Sequence, residues 1–99
     1  MNLAKVIGTV VATQKEPSLE GLRFMLLGVV DDAGEPTGSS IIAVDAVGAG
    51  VGEMVLYATG SSARQTKATE ARPCDAVIMA IVDSWEIEGE SRYMKGRDD

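Results

Sequence analysis

The chain has 99 residues, 45% of them hydrophobic, and a formal net charge of -6, which predicts one domain with a single core. The acidic balance opposes attraction to phosphate backbones and to anionic lipid, so neither nucleic acid nor membrane is an expected partner. The sequence has one cysteine and no histidine, which excludes an intrachain disulfide and the usual zinc ligand sets and predicts a reducing, cytosolic setting without metal or cofactor.

The first half of the chain has the pattern of three strands joined by turns. Leu3 to Thr13 alternates apolar and polar positions and predicts the first strand. A turn-rich loop, 14–21, precedes a second strand from Arg23 to Val30, and the turn residues of 31–38 favour a hairpin return to a third strand, Ser40 to Val47. The residues expected to share one face are Ala4, Val6, Gly8, Val10 and Ala12 in the first strand and Phe24, Leu26 and Val30 in the second.

The second half predicts two further strands around one short helix. The fourth strand is expected from Glu53 to Thr59 and the helix from about Ser62 to Ala68, with Pro73 ending that region. Asp75 to Val82 is almost entirely apolar, as expected of a strand covered on both sides. The charged end predicts a last short strand near 92–94 and a frayed acidic terminus.

Five short strands at this spacing predict a mainly β fold, a small antiparallel barrel or sandwich with one short helix, and a barrel of this kind resembles the OB architecture. We assign residues 1–87 to the barrel domain and residues 88–99 to a charged C-terminal tail. No signal-peptide pattern and no apolar run of about 20 residues is present in the sequence.

The residue types that could carry catalysis have simpler interpretations. Asp31 and Asp32 are typical of a solvated turn, and Asp45 and Asp83, which each follow an apolar strand, favour strand-end capping over a paired acid site. Cys74 precedes an acid and has no histidine to activate it, so an inert, partly buried thiol is expected. The sequence therefore predicts no catalytic residue.

The stretch from Asp45 to Arg64, DAVGAGVGEMVLYATGSSAR, holds four glycines around the fourth strand. Its spacing is G-x-G-x-G before a strand, whereas a dinucleotide-binding loop needs G-x-G-x-x-G opening a helix, so a phosphate cradle is excluded. Ser61, Ser62 and Arg64 could resemble a nucleophile with an oxyanion binder, but no general base accompanies them. The spacing of Ser62 and Gln65 instead predicts a capping box.

Together these motifs resemble the bacterial microcompartment vertex proteins, the pentameric shell proteins of carboxysomes and of ethanolamine- and propanediol-type metabolosomes. The resemblance runs from residue 3 to about 87 and is carried by IGTVVATQK (7–15), Leu19-x-Gly21, VDAVGAGVGE (44–53), GSSAR (60–64) and Asp75 to Asp83. It implies a five-stranded barrel, a cyclic homopentamer that closes the corners of a polyhedral shell with hexameric shell proteins, a location in the shell in the bacterial cytoplasm, and no enzymatic activity.

The resemblance also implies where subunits meet. Small residues permit close approach of neighbouring backbones around a symmetry axis, although the same glycines could only shape a tight connection between the third and fourth strands. If the N-terminus of the short helix faces the five-fold axis, its N–H groups would favour small anions. The residues predicted at the subunit interface are Asp45, Gly48, Ala49, Gly50, Gly52 and Arg64. Of these, Arg64 would brace the neighbouring subunit through an ion pair. The residues predicted to line the pore are Gly60, Ser61 and Ser62.

Two other functions stay open at this point. A monomeric OB-like module that binds a small ligand or an oligonucleotide predicts salt-sensitive binding, which the net charge of -6 opposes. An enzyme would need an unrecognised acid pair or a bound metal. The oligomeric mass separates the shell protein from the monomeric module.

Overall fold

The structure is a computed structural model that describes residues 1–13, 15–72 and 74–98. Gln14, Pro73 and Asp99, which we placed in the first loop, at the end of the helical region and at the C-terminus, lie outside the described residues. Two short 3-10 helices, Pro17–Leu19 and Gly60–Arg64, accompany the strands. The strands are β1 (Asn2–Val10), β2 (Phe24–Val30), β3 (Pro36–Asp45), β4 (Met54–Thr59), β5 (Ala76–Ile81), β6 (Ser84–Ile87) and β7 (Glu90–Met94).

The first five strands close into a barrel in the order β1-β2-β3-β5-β4, which confirms the predicted five-stranded barrel. Its paired strands are antiparallel except β3 and β5, which run parallel where Val44 meets Val77 and Asp45 meets Ile78. The all-antiparallel prediction is wrong at this one pair. Parallel strands need a long crossover connection, and here β4 and the segment after it supply one.

The barrel core agrees with only part of each predicted strand face. Ala4 and Val6 of β1 are fully buried, as predicted, whereas Ala12 lies beyond the end of β1 and is exposed. In β2 the fully buried residues are Met25 and Leu27, both 0% exposed; of its predicted face Val30 is buried, but Phe24 and Leu26 are partly exposed. Strand β2 has no polar side chain, so its sequence does not mark an outer face. The register with β1 and β3 decides which residues point inward. The principal core residues are Ala4, Val6, Met25, Leu27, Ala43, Ala49, Val55, Tyr57, Ala76 and Ile78.

The turn between β2 and β3 is shorter than predicted, since β3 begins at Pro36. The Asp31 carboxylate accepts hydrogen bonds from the amide nitrogens of Ala33 at 2.9 Å and Glu35 at 3.0 Å, and Gly34 adopts φ +85°. The Asp31 side chain thus accepts hydrogen bonds from the turn amides, as a backbone carbonyl does in an ordinary turn. Asp31 and Asp32 are both exposed, which confirms the solvated turn.

A hairpin follows the barrel. Strand β7 contains the strand predicted near 92–94 and pairs with β6, which was not predicted. The rings of Trp85 and Tyr93 stack with centroids 5.2 Å apart, and the Trp85 indole N–H donates to the carbonyl of Asp32 at 2.8 Å. The boundary that we assigned after residue 87 falls in the turn of this hairpin.

The last described residues are hydrogen-bonded rather than frayed. The Asp98 carboxylate accepts from the amide nitrogen of Met94 at 2.8 Å and pairs with the Arg97 guanidinium at 2.5 Å. That guanidinium lowers the pKa of the Asp98 carboxyl below its ordinary value, chiefly through side-chain hydrogen bonds.

None of the helices in residues 1–13, 15–72 and 74–98 is long and apolar enough to cross a membrane.

Candidate functional site

Asp45, the last residue of β3, organises the loop that follows it. One carboxylate oxygen, Oδ1, accepts hydrogen bonds from the amide nitrogens of Val47, Gly48 and Ala49 at 3.0, 3.0 and 3.2 Å. The other, Oδ2, binds the guanidinium of Arg23 at 3.0 Å. The Asp45 side chain is 1% exposed, so a buried charge is compensated by amide donors and a cation. This arrangement confirms the strand-end capping predicted for Asp45.

The glycines between β3 and β4 have two different roles. Gly48 and Gly52 adopt φ +79° and +94°, and an added Cβ would meet nothing within 4 Å in either case. These two positions therefore need glycine for backbone conformation rather than for space. Gly50 differs, because an added Cβ would lie 3.3 Å from Glu53 Oε1, the atom that accepts the Gly50 amide hydrogen bond at 2.6 Å.

The side chains of this loop alternate between the core and the surface. Ala49 is 1% exposed and belongs to the main core cluster, so only its backbone is available to a neighbouring subunit. Val47 and Val51 are 40% and 62% exposed. We call residues 46–53 the glycine-rich loop. Sequence reasoning missed its two outward valines, although the alternation in Val47-Gly-Ala-Gly-Val51 around one inward alanine could have indicated them.

The short helix differs from its prediction in position and capping. It is a 3-10 helix that begins at Gly60 and ends at Arg64, and its N-cap, Thr59, makes no side-chain hydrogen bond. The predicted capping box is wrong, because Gln65 lies at the C-terminal end, where its amide donates to the carbonyl of Ser62 at 3.3 Å. Gly60 turns the chain with φ +64°, and Ala63, 0% exposed, anchors the turn in a smaller core cluster.

Gly60, Ser61 and Ser62, the residues predicted to line a pore, are all exposed on this turn. The Arg64 guanidinium donates to the carbonyl of Cys74 at 3.2 Å and so braces the segment before β5 within its own subunit. The glycine-rich loop precedes β4 and the turn follows it. These two candidate surfaces are therefore separated by the six residues of β4, roughly 17 Å of extended chain.

Cys74 is half-buried beside this turn. Burial raises the pKa of its thiol above the ordinary value and outweighs the opposing charge of Arg64. A higher pKa leaves less thiolate near neutral pH, and the thiolate is the nucleophile. The structure thus agrees with the inert thiol expected from the sequence.

In the part of the chain that the structure describes, no three His, Cys, Asp or Glu side chains lie close enough together to hold a metal ion.

The thiol of Cys74 should react with a thiol-specific reagent more slowly in the folded protein than in urea at pH 7.5. The midpoint of the rate against pH should also lie higher in the folded protein, because the folded pKa is raised. Steric shielding alone would lower the rate at high pH without moving this midpoint. A folded midpoint at or below that of the unfolded chain would contradict the assignment.

Sequence reasoning also missed a cleft between the β2–β3 turn and the C-terminal hairpin. It has a volume of about 570 Å³, and the residues that line it include Lys5, Ile7, Gly34, Ser40, Arg92 and Tyr93. Its lining holds two basic residues, Lys5 and Arg92, and two acidic ones, Glu35 and Asp98, so the cleft has no charge of one sign. No signal in the sequence joins these residues, because they come from three separate parts of the chain.

Comparison with known proteins gives concordant results for sequence and structure. Residues 1–83 match the profile of the family described as "Ethanolamine utilisation protein EutN/carboxysome". The chain is 45% identical over 95 residues to the carboxysome shell vertex protein CcmL of Gloeobacter violaceus, an alignment that covers 96% of this chain and 95% of that protein. The solved structure of that CcmL superposes with a TM-score of 0.92 and covers 96% of this chain and 98% of the other.

A second solved structure adds the oligomeric state of a relative. The GrpN pentameric microcompartment shell protein from Rhodospirillum rubrum is 44% identical, with a TM-score of 0.80 over 88% of this chain and 100% of that one. Residues 1–83, which the family profile matches, include the barrel strands, the glycine-rich loop and the Gly60–Arg64 turn.

Proposed function

The chain belongs to the family of EutN and carboxysome shell vertex proteins, and from this premise we propose how its surfaces assemble a vertex. It is a structural protein of a bacterial microcompartment shell rather than an enzyme, and it acts as a homopentamer that caps a vertex. The observation that carries this conclusion is the structural match to a pentameric shell protein, at a TM-score of 0.80 over 88% of this chain.

The proposed subunit contact involves the glycine-rich loop. A ring of identical subunits uses a heterologous contact, in which one surface of a subunit meets a different surface of the next. Exposed Val47 and Val51 supply apolar area for such a contact, and Gly48, Gly50 and Gly52 add no side chain beside them. Asp45 and Ala49 support the loop from within the subunit, while Arg64 is proposed to reach the neighbour in addition to its own Cys74 carbonyl.

The proposed axis is lined by the Gly60–Arg64 turn. Gly60, Ser61 and Ser62 are small and exposed, which suits a narrow opening surrounded by copies of the same turn. Small anions belong to this proposal only through exposed amide and hydroxyl donors, because a 3-10 helix of five residues has little of the dipole that we expected from a longer helix. A pentamer structure with Ser61 away from the axis would refute this placement.

Hexameric shell proteins are the proposed neighbours at the rim of the pentamer. A vertex has to join flat facets at an angle, and a five-fold unit among six-fold tiles introduces that curvature. The support for this partner is the family of the chain, because its relatives are named shell vertex proteins and a vertex is the place where the facets of a shell meet.

The decisive experiment is a measurement of mass in solution by light scattering. We expect about five times the chain mass of 10.4 kDa, and co-expression with hexameric shell proteins of the same microcompartment should give closed particles that contain the chain. A mass equal to one chain, together with salt-sensitive oligonucleotide binding, would support the monomeric binding module instead. Tubes or open sheets in place of closed particles would contradict the proposed role at the vertex.

A further inference from the structure

One carboxylate connects the glycine-rich loop to the end of the C-terminal hairpin. Glu53 Oε1 accepts the amide hydrogen bond of Gly50 at 2.6 Å, and Glu53 Oε2 accepts from Lys95 Nζ at 2.6 Å. The Glu53 and Lys95 side chains are 24% and 37% exposed. Both distances are those of short, charge-assisted hydrogen bonds, so the loop amide and the lysine are joined through a single side chain.

The ends of this connection are themselves held in place. The backbone at Gly52 and Glu53 is hydrogen-bonded to Val6 of β1. The Glu53 carbonyl accepts from the amide of Val6 at 2.9 Å, and the amide of Gly52 donates to the carbonyl of Val6 at 2.8 Å. Lys95 follows β7 directly, and its amide donates to the carbonyl of Asp83 at 2.8 Å. Tyr93, two residues earlier, is 4% exposed, so the hairpin fixes the direction from which Lys95 approaches Glu53.

We propose that Lys95 is a positioning residue for the subunit contact. By holding the Glu53 carboxylate, it fixes Gly50 and thereby the orientation of Val47 and Val51, the exposed side chains that flank Gly50. This inference rests on the proposed function, in which the glycine-rich loop meets the neighbouring subunit. The family profile ends at residue 83, before Lys95, so the proposal gives the segment beyond the profile a role in assembly.

The loss of the Lys95–Glu53 ion pair should weaken the pentamer more than it lowers the stability of a single subunit. A partly exposed ion pair contributes little to the folding of a barrel, so the loss of Lys95 should scarcely affect the barrel itself. Each subunit contact in the ring would depend on the Lys95–Glu53–Gly50 hydrogen bonds of one subunit. A small loss of order in the glycine-rich loop would therefore weaken every contact in the pentamer. A substitution should therefore weaken the ring more than the subunit.

The test replaces Lys95 by methionine, which retains the aliphatic stem and removes the charge. In Lys95→Met, the concentration at which the pentamer half-dissociates should rise by about tenfold, the effect of one charged hydrogen bond, with a thermal midpoint of the dissociated subunit within about 5 °C of wild type. Hydrogen–deuterium exchange of a peptide spanning residues 46–53 should accelerate. Lys95→Arg should restore both the assembly and the slow exchange.

Arg92→Met is the matched control, because Arg92 lies on the same hairpin but pairs with Glu90 at 3.6 Å rather than with the loop. It should leave the exchange of residues 46–53 unchanged. The double variant Lys95→Met/Glu53→Gln should weaken the pentamer by clearly less than the sum of the two single variants, as expected of two residues that share one interaction.

Two results would overturn the proposal while the pentamer itself stands. One is an unchanged dissociation midpoint in Lys95→Met, and the other is an equal loss of assembly and loop protection in Arg92→Met. A wild-type chain that is monomeric would instead refute the proposed function, so the two failures are distinguishable.

Discussion

Replacing Asp45 by alanine should lower the free energy of unfolding by about 3 kcal/mol, because a buried carboxylate that accepts several hydrogen bonds is lost. The amides of Val47, Gly48 and Ala49 would lose their common acceptor, and the Arg23 guanidinium would lose the carboxylate that it binds at 3.0 Å. For a domain of this size the thermal midpoint should fall by about 15 °C. Urea denaturation monitored by Tyr and Trp fluorescence measures the loss directly.

Asp31→Ala is the graded control for this prediction. The Asp31 carboxylate also accepts two amide hydrogen bonds in a turn, but the residue is exposed, so water can replace it at a cost of about 1 kcal/mol. Equal losses in the two variants would contradict the argument that burial makes Asp45 the organiser of the loop. Because the loop also carries the proposed subunit contact, Asp45→Ala should in addition shift the pentamer towards monomers.

Replacing Gly50 by leucine should dissociate the pentamer almost completely at micromolar concentrations. The Cβ alone would lie 3.3 Å from Glu53 Oε1, a contact that a small shift of that side chain relieves. The rest of the leucine side chain would prop the loop away from a closely packed neighbour, and overpacking of this kind costs about 1–3 kcal/mol at each contact. Sedimentation velocity at several concentrations measures the distribution of monomers and pentamers.

Gly50→Ala is the matched variant, since it introduces the same contact with Glu53 without the larger side chain. We expect it to remain pentameric with a slightly lower thermal midpoint. A pentameric Gly50→Leu of unchanged stability would show that the glycine serves only the local connection between β3 and β4, and would remove residues 46–53 from the subunit contact.

The extent to which the sequence predicted this fold differs from strand to strand. Strand β1 alternates, and the predicted inward positions Ala4 and Val6 are buried. Strand β2 is uniformly apolar apart from one glycine, and its predicted face was wrong at Phe24 and Leu26, although Val30 is buried. Its inward residues are selected by pairing with β1 and β3. The helix prediction failed for a related reason, since Gly60 and the buried Ala63 fix a tight turn where local spacing favoured a capping box.

By itself, the sequence determined the properties that depend on residue type and close spacing. These are the mainly β barrel, the solvated turn at Asp31, and the family to which the chain belongs. Only the tertiary structure decided that Ala49 faces the core while Val47 and Val51 face outward, and that Lys95 meets Glu53. The reason is physical: these contacts join segments far apart along the chain, and barrel closure and strand register, which no local pattern encodes, bring them together.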